Sequence, residues 1–171
     1  MLERPEEINA ITDDNARGQT SQVWNPQEGK ALTLGTLQLT LKATGTETGG
    51  HFSLVEVTVP PYFSDIWPHF HQESSKAIYL IRGMLAVTLG EETMVVRQGS
   101  VILVPPKQVH RFWNPAATPA TFLIYFTPSG AEGFYEALAR TGLLDDEAAQ
   151  PAVIAEIWAL AMNFDHYPAK P

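Results

Sequence analysis

His69 and His71 stand two residues apart in the run Trp67-Pro68-His69-Phe70-His71. On a β-strand, residues i and i+2 point to one face. Two imidazoles in that spacing can share one divalent ion. A lone histidine on an apolar face is more often a satisfied core residue; the pair brings the two readings near even. His110 lies in the run GSVILVPPKQVHRFWN and is a third candidate. Pro68 and Pro105-Pro106 precede these histidines. Proline has no N–H to give to a ladder and belongs at strand starts or edges. All three histidines are therefore expected just inside strand beginnings, at the mouth of a barrel. Tyr62, Phe63, Trp67, Phe70, Phe112 and Trp113 lie near them in sequence. Phe112 has the parity of His110 and Trp67 that of His69, so these two are the expected ligand-binding wall residues. Ordinary barrel core is the alternative reading for each aromatic. His51 and His166 are read as structural or surface residues. The sequence names no catalytic residue.

The elements that must position these groups are mostly strands. Leu32 and Leu34 alternate with polar residues; Leu37, Leu39 and Leu41 then alternate in the opposite phase. Alternation marks half-buried strands, and the phase change at Gly35-Thr36 suggests a bulge. TGTETGG at 44–50 is a turn cluster, and 51–59 reads as a further strand. Short β-rich runs follow at 76–82, 84–90, 92–97, 101–104, 110–113 and 121–127, separated by glycine and proline. Regular short strands of this kind indicate an all-β sandwich or barrel. Beyond Pro128, Ser129 and Glu132 have the spacing of a capping box. The helix they announce should run to about Arg140 and stop near Gly142. A second helix is expected with Pro151 as its first residue. Ile154, Ile157, Trp158 and Ala161 form its apolar stripe. Three parts are expected: an N-terminal arm over 1–30, a β-barrel over 31–127, and a helical tail over 128–171.

Composition narrows the function classes. The 171 residues include 11 lysines and arginines against 19 aspartates and glutamates, a formal charge of −8. An acidic chain without a basic run offers no footprint for nucleic acid or an anionic membrane. The absence of cysteine excludes thiolate ligands and a cysteine nucleophile. It also fits a reducing compartment, and a cytoplasmic location is expected. The polar start MLERPEEINAITDDNARG lacks the apolar segment of a signal peptide.

Two spaced patterns give a resemblance. The cupin superfamily has a first motif of glycine, five residues, His-x-His, three or four residues, glutamate, six residues and glycine. His69, His71 and Gly83 match it. Its second motif runs glycine, five residues, Pro-x-Gly, two residues, histidine, three residues and asparagine. Gly99, Pro105, His110 and Asn114 match that one. The chain resembles this superfamily over roughly 31–127, and within it the small single-domain bacterial proteins described as quercetinase-like. The resemblance implies an all-β fold, a double-stranded β-helix (cupin or jelly-roll barrel) with C-terminal helices. It implies metal-ligand roles for His69, His71 and His110, and a homodimer, which would also protect open sheet edges. The implied activity is that of a metal-dependent enzyme, such as a dioxygenase, acting on a small aromatic or polar organic molecule.

Three positions depart from the motifs. Phe63 replaces the opening glycine of the first, and Lys107 the glycine of Pro-x-Gly. Lys76 occupies the position of the family's glutamate ligand. An ammonium ~4 Å from a divalent ion is repelled by ~8 kcal/mol at an effective dielectric near 20. Neutralising a lysine at pH 7 costs only ~4.6 kcal/mol. A bound metal would therefore deprotonate Lys76 rather than sit beside its charge, and metal affinity should fall. Four outcomes stay open. Three neutral histidines hold Fe, Zn, Ni, Cu or Mn; Glu73 folds back as a substitute carboxylate; Lys76 fills the metal's volume in a metal-free ligand-binding module; or Lys76 acts as a nucleophile or base. The first is ranked ahead of the third, because each retained histidine otherwise needs a polar partner, and the last is ranked lowest, because nothing else in the sequence supports it.

Overall fold

A computed structural model describes residues 21–25, 28–64, 67–144 and 151–169. Of the N-terminal arm expected over 1–30, residues 1–20 and 26–27 lie outside the described residues. The described remainder runs beside the barrel, where Lys42 Nζ donates to the carbonyl of Glu28 at 2.6 Å.

Two antiparallel sheets make the barrel. One has six strands: β1 (Lys30–Leu34), β2 (Leu37–Ala43), β3 (Ser53–Val59), β10 (Ala120–Thr127), β5 (Ser75–Arg82) and β8 (Val101–Val104), in that spatial order. The other has five: β11 (Tyr167–Pro168), β4 (His69–Phe70), β9 (His110–Trp113), β6 (Met84–Leu89) and β7 (Glu92–Arg97). This is the double-stranded β-helix that the sequence led us to expect. The phase change at Gly35-Thr36 is a chain reversal and not a bulge. Leu34 stands opposite Leu37 across the β1–β2 hairpin, and Gly35 takes a φ of 56° between them. A two-residue turn inverts the inward parity just as one extra residue would, so alternation alone cannot separate the two.

The core follows alternation along β3, β5 and β10, while β6 buries Leu85, Ala86 and Val87 in succession. Val55, Val57 and Val59 of β3 point inward, as do Ile78 and Leu80 of β5 and Phe122, Ile124 and Phe126 of β10. Leu85 and Val87 of β6 and Phe112 of β9 meet them from the second sheet. Burying each such side chain contributes about 1.5–3 kcal/mol. Gly83 joins β5 to β6 with a φ of 87°. A Cβ there would stand 2.9 Å from the Cα of Ala120, so the motif glycine is required by close backbone approach as well as by the turn.

Helix α1 spans Gly133–Thr141 and begins later than the capping-box pattern suggested. The Glu132 carboxylate accepts from the Gly130 N–H at 2.6 Å and from the Gly45 N–H at 2.9 Å. It ties the helix entry to the 44–50 turn instead of pairing with Ser129. Gly142 ends the helix in the left-handed conformation, as expected. Helix α2 spans Pro151–Ala161 with proline in first place. Its stripe buries Ile157 and Ala161 and lays Trp158 on Trp67, ring centroids 5.9 Å apart. A 3-10 turn over Met162–Phe164 leads into β11. The tail is therefore more than helical: it returns to the second sheet and adds its edge strand. Among the described residues no helix is long and apolar enough to cross a membrane.

Candidate metal centre

β4 and β9 bring the first two expected ligands together. His69 and His110 are directly paired across these strands, with ring centroids 4.2 Å apart. His71 follows β4, its ring 5.3 Å from that of His69 and 5.4 Å from that of His110. Lys107 fixes the spacing. It takes the left-handed conformation, φ 67°, that the motif glycine would adopt more cheaply. Its N–H donates to the His71 carbonyl at 2.6 Å. The three histidines named from the sequence thus lie around one spot on the barrel interior.

The tail supplies a fourth. His166, read from the sequence as structural or surface, is buried at 4% exposure within this cluster. Its ring lies 4.4 Å from that of His71 and 5.8 Å from that of His69. His69, His71 and His166 each offer one ligand atom, all within 4.8 Å of one another. No carboxylate joins this group among the described residues. A single histidine far down the chain carries no periodicity or paired spacing, which is why sequence reasoning passed over it.

The hydrogen bonds set the tautomers. Nδ1 of His69 lies 2.9 Å from the Trp67 carbonyl, and that of His71 lies 2.8 Å from the Asp165 carbonyl. Nδ1 of His110 is 3.0 Å from the Gln108 carbonyl, and that of His166 is 2.8 Å from the Phe164 carbonyl. A carbonyl oxygen only accepts, so each Nδ1 carries the proton and each Nε2 carries a lone pair. Backbone carbonyls on Nδ1–H are the outer partners that metal-binding histidines use.

Burial, and then the charge of Lys76, hold all four imidazoles below their usual pKa. For His166 the value falls to about 3. All are therefore neutral at pH 7, the form that ligates. Lys76 lies inward on β5 at 3% exposure, opposite Phe126 on β10. Burial pushes its ammonium down to about 7. Its Nζ donates to His110 Nε2 at 3.3 Å and sits 5.5 Å from the ring centres of Phe112 and Phe126. Phe112 is thus beside Lys76. Trp67 is half-buried against α2 and holds His69 through its carbonyl. Ile78 and Leu80 share the inward face of Lys76, and Tyr79 points outward. Tyr62 is 69% exposed and is no pocket wall. Glu73 is exposed and does not fold back toward the histidines.

One atom tests the fit of a metal. His71 Nε2 is fully buried and has no hydrogen-bond partner. Leaving such an acceptor unmatched costs about 1–3 kcal/mol, and a cation is the partner its lone pair suits. A set of imidazole nitrogens suits zinc, iron, nickel or copper. The residues therefore fit a divalent ion, with Lys76 as the one group opposed to it.

Comparison with known proteins agrees with this fold. Residues 55–126 match the family described as a cupin domain, a span that includes His69, His71, Lys76 and His110 and stops short of the tail. No curated protein matches the sequence. Among solved structures, a sugar phosphate isomerase of the cupin superfamily from Silicibacter pomeroyi is similar at 17% identity and a TM-score of 0.56; the match covers 64% of this chain and 77% of that one. A predicted oxalate decarboxylase from Thermotoga maritima is similar at 14% identity and a TM-score of 0.58, with 63% and 99% covered. The polyketide cyclase RemF from Streptomyces resistomycificus is similar at 22% identity and a TM-score of 0.56, with 64% and 81% covered. The histidine cluster thus sits in a cupin-type double-stranded β-helix whose central residues 55–126 match the cupin domain.

Proposed function

We propose that the protein is a metal-dependent enzyme acting on a small organic molecule at the histidine cluster. The observation that carries this reading is the unpartnered, buried Nε2 of His71 among neutral imidazoles. His69 and His71, with a third imidazole of the same cluster, would hold one divalent ion. When bound, such an ion polarises a substrate oxygen or activates a bound small molecule. The chain's own residues supply the rest. Phe112 and Phe126 give an apolar wall that excludes water. Lys76 offers an amine hydrogen-bond donor beside it, which suits an oxygen on the substrate. A dioxygenase of the quercetinase-like kind is one form of this reading, and oxygen consumption with a flavonol would test that form directly. The isomerase, decarboxylase and cyclase named above mark other reactions for the same barrel.

Elemental analysis of the protein, purified without a histidine tag, tests the proposal. About one metal per chain is the expected result. No metal, and none taken up from zinc, iron, nickel, copper or manganese, would overturn it. It would leave the second reading, a metal-free binding module, which the buried Lys76 favours. Lys76→Glu separates the two further. It removes the opposing charge and should tighten metal binding at least about tenfold, a gain of roughly 1.4 kcal/mol. We also propose a homodimer. Its test is the solution mass, and the exposed outer residues Tyr79, Val101 and Leu103 are the face a second copy would cover.

A further inference from the structure

We infer that His166 is the third metal ligand, presented by the C-terminal segment and standing in for the carboxylate that Lys76 has replaced. The inference rests on the metal reading above and names the ligand set within it.

Three observations carry it. The first is geometric: His166 and not His110 completes the group whose ligand atoms lie within 4.8 Å of one another. The second is competition. The Nε2 lone pair of His110 already accepts from Lys76 at 3.3 Å, and one lone pair cannot serve an ammonium and a metal together. The third is the way the tail is held. Asp165 takes the left-handed conformation, φ 61°. Its Oδ1 accepts from the N–H groups of Gln72 at 2.7 Å and Glu73 at 3.1 Å. Its Oδ2 accepts from the Ser74 N–H at 2.8 Å. The carbonyl of the same residue accepts from His71 Nδ1. Asp165 thus orients one ligand and turns the next residue inward as another. Downstream, Tyr167 pairs with Phe70 and Pro168 with His69, and the Ala169 N–H donates to the Pro68 carbonyl at 3.1 Å.

A plug without metal would have little use for an imidazole here. Phe134 lies 4.8 Å from the His166 ring, Tyr135 6.1 Å and Phe126 6.2 Å. On that aromatic side of the ring a phenyl group would fill the same space, giving up only the Nδ1 bond to the Phe164 carbonyl. His166→Phe is therefore the discriminating variant: it keeps the plug and removes the ligand.

The test uses the untagged, chelator-treated full chain. It is titrated with zinc by calorimetry and with cobalt(II) by visible absorption, which reads the coordination sphere. His166→Phe should weaken both metals more than about 100-fold, since loss of even an outer partner costs about 10–100-fold. It should leave the metal-free melting temperature unchanged or higher. His110→Gln should keep metal within about tenfold of the unaltered chain. Asp165→Asn, a positioning change, should weaken zinc about 10–100-fold and shift the cobalt spectrum. If His166→Phe misfolds, His166→Leu serves the same comparison. Unaltered zinc affinity and cobalt spectrum in His166→Phe would overturn this inference alone. Failure of the unaltered chain to bind any metal would overturn it together with the metal reading.

Discussion

At one end of the β5–β10 pair, Leu80 stands opposite Phe122; at the other, Lys76 stands opposite Phe126. The two strands are continuous and every one of these side chains is buried, yet the two ends solve different problems. Around Phe122 the barrel closes by dispersion and hydrophobic burial, with Phe112 edge-on to it at 5.1 Å. Around Phe126 it encloses four imidazoles and an ammonium. Backbone carbonyls satisfy each Nδ1 there. The two buried side-chain atoms without partners among the described residues, Ser53 Oγ and His71 Nε2, are also at this end; Ser53 pairs with Phe126 across β3 and β10. One end is built for stability, and the other holds polar groups that the fold alone does not require.

The largest separation between the two ends should come from Phe122→Ala. Emptying that fully buried site should cost about 3–5 kcal/mol in denaturant unfolding, while metal content of the folded fraction stays at the unaltered value. A fall in metal content with stability intact would dissolve the distinction.

A pH series sharpens it next. The buried histidines are neutral in the folded chain, whereas in the unfolded chain they take up protons near 6.5. The unfolded state therefore binds more protons below 6.5, and stability falls as pH drops through the window from about 6.5 toward about 3, the latter set by His166. The slope reaches about 1.4 kcal/mol per pH unit for each proton. Lys76, lowered to about 7 from 10.5, adds a loss of the same sign as pH falls from about 10.5 to about 7. Urea midpoints measured on the metal-free chain at pH 7.5, 6.5 and 5.5 check the histidine window. A flat series would mean that the imidazoles charge freely and are not enclosed.

The smallest effect is expected from Ser53→Ala. Removing an unpartnered hydroxyl should change stability by less than about 1 kcal/mol and leave zinc affinity untouched. A loss of zinc would make Ser53 part of the site, and the two orphan atoms would then share one explanation.

How far the sequence could be read follows the same division. Strands with alternating apolar residues were legible almost to their ends. The runs expected at 92–97, 101–104 and 110–113 are β7, β8 and β9. His69 and His71 were legible because a period of two is a local signal. His110 was legible through its spacing from Gly99, Pro105 and Asn114. The inward Lys76 was legible only through the resemblance, as the residue at the position of the family's glutamate. His166 was not legible, because its place depends on a return of the chain across 97 residues to pair Tyr167 with Phe70. Its neighbours carry only weak hints, an aspartate able to turn left-handed and a Tyr-Pro pair suited to an edge. Glu132 misled for a related reason: its partner at Gly45 is distant in sequence, and a local pattern cannot report that.

The cradle under Asp165 has an evolutionary consequence. It takes three main-chain amides and the side chain of Ser74, so only Gln72 and Glu73 contribute nothing to it beyond an N–H. Gln72 and Glu73 are free to drift in charge and size while the strap stays fastened, whereas Ser74, buried at 3% exposure, is not. Proline at either of the first two would delete a donor, which makes proline the one residue that drift at these positions must avoid for the clasp to survive.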